Sequence, residues 1–287
     1  MKRFACLIFS LCSLLFATGR AYSAKRMTSP QEKEKAQYAY FEALRLKGTG
    51  QHAEAFDLLR HAIELDTTLA AAYSEVAGYY FTVRDAAAGY RSLLKAVKFA
   101  PSNPWYLLSA AECARQIRDY DRAVVLYARY LQIKPADIEV VSRLAETCMD
   151  KGEPQKAIEA YSRFEEQFGA NENTILQKAN IYYRMRDHEQ SFEEMKSLIA
   201  SHPHDVSYRL LLGDLYLESA RYEEAYEMYM KVRELNPEEE SLHLSLLNYY
   251  RLRKDKEAYW AEADTLLFRT SMPSDVRMSV LQYVIQD

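Results

Sequence analysis

Self-similarity at a fixed period constrains this chain more than any other feature. In a frame starting at Ala36 and stepping by 34 residues, copies begin at 36, 70, 104, 138, 172, 206 and 240. The eighth position reads Ala43, Ala77, Ala111, Ala145, Ala179 and Gly213, then Leu247. The twentieth reads Ala55, Gly89, Ala123, Ala157, Ser191 and Ala225, then Tyr259. The thirty-second gives Pro101, Pro135, Gly169, Pro203 and Pro237. Large residues fill two more columns: Leu46, Tyr80, Tyr182, Tyr216 and Tyr250 at the eleventh, and Leu59, Leu93, Tyr127, Tyr161, Met195 and Tyr229 at the twenty-fourth. Small residues running unbroken down two columns leave room only for a fold that is itself a repeat.

The spacing sets the local structure. Positions 4, 7, 8 and 11 follow the i, i+3, i+4, i+7 rule for one face of a helix, and positions 20, 24 and 27 do the same for a second helix. Small residues at 8 and 20 let the two helices cross closely, and the large columns fill the space beside the crossing. Polar turns separate the helices, as at 118–121 and 151–154. Proline near position 32 ends the second helix, because it lacks an N–H and clashes with the preceding turn. One such pair cannot bury its apolar face alone, so pairs must stack. The seventh copy drifts: Ala258 suits the small column better than Tyr259 if one residue is deleted.

These residues resemble the tetratricopeptide repeat (TPR) family, whose pattern is W-x2-L-G-x2-Y, then A-x3-F, then P over 34 residues. The copy at 206 matches it best, with Leu212, Gly213, Tyr216, Ala225, Tyr229 and Pro237. The first copy is degenerate, with Glu42 at an aliphatic position and Gly48, Thr49 and Gly50 in its turn. The chain also resembles exported TPR proteins of Bacteroidetes-type bacteria, many without an assigned activity. The resemblance implies an all-α fold, a right-handed α-solenoid of about seven stacked antiparallel helix pairs over 36–273. It implies a non-enzymatic scaffold with no cofactor, whose first helices line a concave groove for a protein or peptide.

The N-terminus reads as a targeting segment. Lys2 and Arg3 precede an apolar run from Phe4 to Ala17, and small residues follow at Gly19, Ala21, Ser23 and Ala24. That is the pattern of a secretory signal peptide over 1–23, too short for a membrane span of about 20 residues. Cleavage is expected after Ala21 or Ser23, leaving a lead-in over 24–35. The segment carries three positive charges and no negative ones, so its removal takes the net charge from −4 to −7. That balance gives no footprint for nucleic acid. An exported, periplasmic protein is expected, with no transmembrane span and a partner of the cell envelope. Residues 274–287 read as one more first helix, with Val276, Val280, Leu281 and Val284 apolar. It is a capping helix or the start of a truncated further repeat, and its apolar ending favours the second.

Candidate chemistry is thin. Ser92 and Lys95 match S-x-x-K, but without the companion motifs of acyl-serine enzymes. His202, His204 and Asp205 lack a fourth metal ligand, and Pro203 among them is a helix stop. Cys113 and Cys148 read as two small buried thiols, because packed helix axes lie farther apart than a disulfide spans. Function is therefore placed in the groove. Position 5 supplies Leu108, Leu176, Leu210 and Leu244 beside Ser142, and position 9 supplies Glu112, Glu146, Asn180, Asp214 and Asn248. Trp105, Met149 and Tyr183 join them from positions 2 and 12. The aliphatics and Trp105 would anchor a peptide, while the carboxylates would steer basic or amide-rich segments. Arg115 would neutralise part of the acidity at Glu112. The Lys/Asn/Lys/Arg clamp with which TPR cochaperones hold a C-terminal carboxylate is absent, so an acidic tail is disfavoured. Two alternatives stand beside the scaffold: an extracytoplasmic sensor segment of a longer signalling protein, and a glycan-binding helical protein using Trp105 as its platform.

Overall fold

A computed structural model of the chain describes residues 29–268 together with Met278 and Leu281. The expected signal segment, the start of the lead-in and nearly all of the expected terminal helix lie outside the described residues. Among the described residues the regular structure is entirely helical. The helices are α1 (Pro30–Gly48), α2 (His52–Leu65), α3 (Ala70–Thr82), α4 (Ala86–Phe99), α5 (Pro104–Gln116), α6 (Tyr120–Ile133), α7 (Ile138–Lys151), α8 (Pro154–Phe168), α9 (Glu172–Arg184), α10 (His188–Ser201), α11 (Val206–Glu218), α12 (Tyr222–Leu235), α13 (Glu240–Arg253) and α14 (Lys256–Phe268). They form seven hairpins in the 34-residue frame, as the periodicity requires.

The chain divides into two compact units, one ending at Ile133 and the other starting at Lys134. The first holds α1–α6. Each odd-numbered helix packs on the one after it, and α2 on α3 and α4 on α5 join neighbouring hairpins. The second holds α7–α14, joined by α8 on α9, α10 on α11 and α12 on α13, with α11 also reaching α13.

The small columns sit where the helices of a hairpin cross. Ala43, Ala77 and Ala111 on the first helices and Ala55, Ala123, Ala157 and Ala225 on the second are completely buried. At one crossing the buried Ser191 hydroxyl donates to the Ala179 carbonyl at 2.9 Å. The expected drift of the seventh copy is corrected by the structure. Leu247 and Tyr259 are buried at the two small positions, whereas Ala258 is only half-buried. The frame runs on without a deletion because the turn before Tyr259 keeps the register of the other six.

Those seven turns share one backbone device. Frame position 15 is left-handed in every hairpin: Gly50, Arg84, Arg118, Gly152, Arg186, Ala220 and Lys254, with φ between 57° and 82°. Two hydrogen bonds close each turn in a Schellman motif. In the second hairpin Asp85 N–H donates to the Tyr80 carbonyl at 2.9 Å and Arg84 N–H to the Phe81 carbonyl at 3.0 Å. The residue at position 16 then starts the next helix. Asp85, Asp119, Asp187 and Asp255 each accept through Oδ1 from the backbone N–H three residues on. Five of the seven left-handed residues are not glycine, although that conformation costs an L-residue roughly 1–2 kcal/mol. The packing of two helices in every hairpin imposes it.

Candidate functional site

The expected groove residues separate into three groups. The acids of position 9 belong to the fold as much as to the surface. Tyr127 Oη donates to Glu112 Oε1 at 2.6 Å, and Tyr229 Oη donates to Asp214 Oδ1 at 2.7 Å. Both tyrosines are completely buried at position 24 of the same hairpin. Tyr161 stands in that column opposite Glu146; burial lifts its phenol pKa, Ser142 offsets part of the rise, and Glu146 adds to it. The pattern holds through all seven copies. Tyr127, Tyr161 and Tyr229 accompany Glu112, Glu146 and Asp214, while Leu59, Leu93, Met195 and Ala263 accompany Leu44, Gly78, Asn180 and Asn248. A buried phenol needs a partner: position 9 supplies the acceptor for Tyr127 and Tyr229, while Tyr161 hydrogen-bonds Ser142 beside the Glu146 charge. Burial raises the Asp214 carboxyl above the usual range, with the Tyr229 hydrogen bond acting against it. The reading of Glu112 and Asp214 as free steering charges is therefore corrected. Arg115 Nη2 lies 3.8 Å from Glu112, as its spacing suggested.

The leucines of position 5 differ among themselves. Leu210 is buried in the core of the second unit with Ile175, Leu212 and Leu246, and is corrected from anchor to core. The exposed leucine of α11 is its neighbour Leu211. Direct packing of α11 on α13 turns Leu210 inward, a rotation that a 100° periodicity estimate cannot resolve. Leu176 is partly buried against the same core, and Leu108 is half-buried on α5. Trp105, at 76% exposure, and Leu244, at 42%, remain open to solvent. Among the polar members, Asn180 is exposed, Asn248 accepts from Arg251 at 2.8 Å, and Tyr183 Oη donates to Glu218 at 2.6 Å.

Two buried charge clusters pin neighbouring hairpins in the second unit. Lys178 Nζ lies 2.7 Å from Glu165 and 2.8 Å from Glu194. Burial works against its ammonium, but the two carboxylates outweigh it and leave the pKa raised. In the last hairpin Glu262 Oε2 meets His243 Nδ1 at 2.7 Å, and Oε1 accepts from Arg233. Burial pushes Glu262 up, His243 and Arg233 pull it down further, and the net shift is downward. Each cluster pairs its charges within the protein, which marks it as architecture, although Glu165 Oε1 is buried without a hydrogen-bond partner.

A crevice absent from the sequence reading opens in the first unit. Its volume is about 620 Å³, between the turn end of α1 and α2 and the outer stripe of α3. Phe56, Tyr79 and Tyr80 form aromatic walls, with ring centroids 5.4 Å apart for Phe56–Tyr79 and 5.8 Å for Phe56–Tyr80. Gly78, itself exposed, is part of the lining, as are Lys47 and Glu75, which pair at 2.7 Å. The Tyr79 hydroxyl is buried without a hydrogen-bond partner in the protein. The signal available in the sequence was Gly78, the one glycine in the position-9 column.

Among the described residues, no group of three or more His, Cys, Asp or Glu is placed to hold a metal ion, and no helix is long and apolar enough to cross a membrane. Asp205 caps α11 through Ser207 N–H at 2.9 Å, and His202 Nδ1 bonds the Leu198 carbonyl. Cys113 and Cys148 are free thiols with pKa values raised by burial.

Family profiles described as tetratricopeptide repeat match residues 114–173, and a second such profile matches 83–138 and 176–240. Together they span more than half of the chain. Among curated proteins, tetratricopeptide repeat protein 37 of Xenopus laevis is 25% identical over 182 residues, which is 61% of this chain and 11% of that protein. DnaJ homolog subfamily C member 3 of Gallus gallus is 26% identical over 144 residues, 46% of this chain and 29% of that protein. The chain therefore spans under a third of either relative. Among solved structures, a chain of the Naa15/Naa10 complex bound to HypK-THB superposes with a TM-score of 0.63 at 20% identity, covering 84% of this chain and 37% of that one. A tetratricopeptide repeat protein from Parabacteroides merdae covers 87% of this chain and 98% of its own, at 14% identity and a TM-score of 0.46.

Proposed function

The chain belongs to the tetratricopeptide repeat family, and from that premise we propose that it is a non-enzymatic, exported scaffold that docks a segment of another cell-envelope protein. The exposure of Trp105 carries this reading. A tryptophan at 76% exposure on a first helix, beside the half-buried Leu108, is an anchor of the kind that dominates protein interfaces. Packing does not require it there, since α5 buries Leu107, Ala110, Ala111 and Ala114 on its opposite side. In the second unit Leu244 on α13 is an open apolar residue in its own right. The apolar run and basic start at residues 2–17 support export.

The test is crosslinking capture from envelope extract with the full chain and with the Trp105→Ala and Leu244→Lys variants, each checked for unchanged helical content. A partner retained by the parent and reduced at least about tenfold by Trp105→Ala is expected, since anchor truncation costs about 2 kcal/mol or more. Equal capture by all three proteins refutes docking through these residues. Mass spectrometry of the mature N-terminus tests export separately: a start at Tyr22 or Ala24 is expected, and an intact Met1 in the envelope fraction refutes cleavage.

A further inference from the structure

We infer that two copies of this chain associate through the outer face of α1, packed antiparallel about a two-fold axis. The face is a single stripe. Glu34, Tyr38, Phe41 and Arg45 follow i, i+4, i+7, i+11 spacing and fall within about 60° of one another at 100° per residue. They stand opposite Ala36, Ala39 and Ala43, the buried residues of the same helix. All four are exposed, Tyr38 at 74% and Phe41 at 64%. Packing within the chain explains neither aromatic. In later copies the returning helix of the hairpin before covers position 3 and buries Ala72, Thr174, Tyr208 and Leu242. No such helix precedes α1 among the described residues. Phe41 stands in a column that elsewhere reads Glu75, Ser109, Arg143, Gln177, Leu211 and Ser245. Tyr40 meets its ring edge-on at 5.5 Å and leaves the outer side open.

The stripe is complementary to itself, and that names the occupant. Reversed about its midpoint, it presents Glu34 to the second copy's Arg45 and Tyr38 to the second copy's Phe41, and symmetry repeats both contacts. Gln37 then meets Glu42, an amide donor beside a carboxylate. Parallel pairing instead sets Glu34 on Glu34 and Arg45 on Arg45, and a slip of one turn separates Glu34 from Arg45. Charge therefore fixes both direction and register. Arg45 already pairs with Glu42 of its own helix at 2.6 Å, but its side chain stays exposed and its five N–H donors can serve a second carboxylate. An acidic or a basic partner satisfies one end of the stripe and opposes the other, whereas a second α1 matches both charges and both rings. An interface of one helix per copy falls below the roughly 1,200–2,000 Å² of stable complexes, so the association is weak and concentration-dependent.

Sedimentation velocity of the full chain tests the pairing, with a shift from monomer to dimer expected between about 1 and 500 µM. Phe41→Ser removes two ring contacts at once by symmetry and should weaken association at least about tenfold, with helical content unchanged. Glu34→Arg and Arg45→Glu each set like charges face to face at both ends and should each weaken it about fivefold or more. Mixed in equal amounts, these two variants should associate as tightly as the parent. The guanidinium brought by one then faces the carboxylate brought by the other, and native Arg45 faces native Glu34 at the far end. Only the antiparallel register gives that rescue. A parent that stays monomeric throughout overturns the inference, as does a mixture no tighter than its two components. Association lost on deleting residues 1–28 but indifferent to Phe41→Ser also overturns it, by assigning self-association to the apolar run at 4–17. Trp105→Ala should leave the dimer unchanged, so this inference and the docking of an envelope partner stand or fall separately; a dimer lost in that variant overturns pairing through α1.

Discussion

The second and sixth hairpins solve the same packing problem in opposite ways. Each admits an aromatic ring through a glycine in a small column. In the sixth, a Cβ on Gly213 would lie 2.6 Å from the Tyr229 ring; in the second, a Cβ on Gly89 would lie 2.4 Å from the Phe81 ring. Tyr229 is completely buried and brings a hydroxyl, so Asp214 stands at position 9 to accept from it. Phe81 is 37% exposed and brings none, and position 9 is Gly78, an exposed member of the crevice lining. One frame thus yields a closed crossing, in which an acid answers a buried phenol, and an open one, in which no phenol calls for an acceptor and position 9 is free to be a glycine.

Removing the ring itself should have the largest effect. Tyr229→Ala should cost about 3–5 kcal/mol, as for other fully buried aromatics, read from the shift in urea midpoint; a cost below that of an ordinary surface mutation would mean the crossing is not closed. Asp214→Ala leaves the Tyr229 hydroxyl unsatisfied and should cost about 1–3 kcal/mol, most of it recovered in the double variant with Tyr229→Phe. Purely additive losses would break the link between the two columns. Gly213→Ala should cost about 1 kcal/mol, at the low end for overpacking, because Ala111 and Ala145 already accompany Tyr127 and Tyr161 in other hairpins. In the open hairpin the sign reverses: Gly78→Ala should stabilise by about 0.5–1 kcal/mol, visible as a raised melting temperature.

A pH series gives the smallest effect and a difference of sign. The Asp214 pKa is raised in the fold, so stability falls as pH climbs from the ordinary value of about 3.9 through the raised one, and Asp214→Asn should flatten that slope. Glu262 is lowered, so its contribution is complete above about 4.3 and is lost as pH falls through the folded value. Glu262→Gln should therefore remove an acid-side loss, whereas Asp214→Asn removes a loss on the rising side. Urea midpoints that move in the same direction for both would refute one of the two environments.

Periodicity is written along the covalent chain, and helical geometry turns it into faces without further information. That is why the seven hairpins, the buried alanines of positions 8 and 20 and the exposure of Trp105 were all legible before any coordinates. What escaped depends on contacts between helices. A 100° step places Leu210 and Leu211 on neighbouring faces, and only the packing of α11 against α13 chose which one to bury. The acids of position 9 looked like a surface row because their tyrosine partners lie 15 residues away on the returning helix. Arg84, Arg118, Arg186, Ala220 and Lys254 gave no hint of left-handed backbone, since the conformation is imposed by hairpin closure and not by residue type. Local order is a property of spacing; burial, hydrogen-bond partners and cavities are properties of two surfaces meeting, and they come into being only when the helices pack.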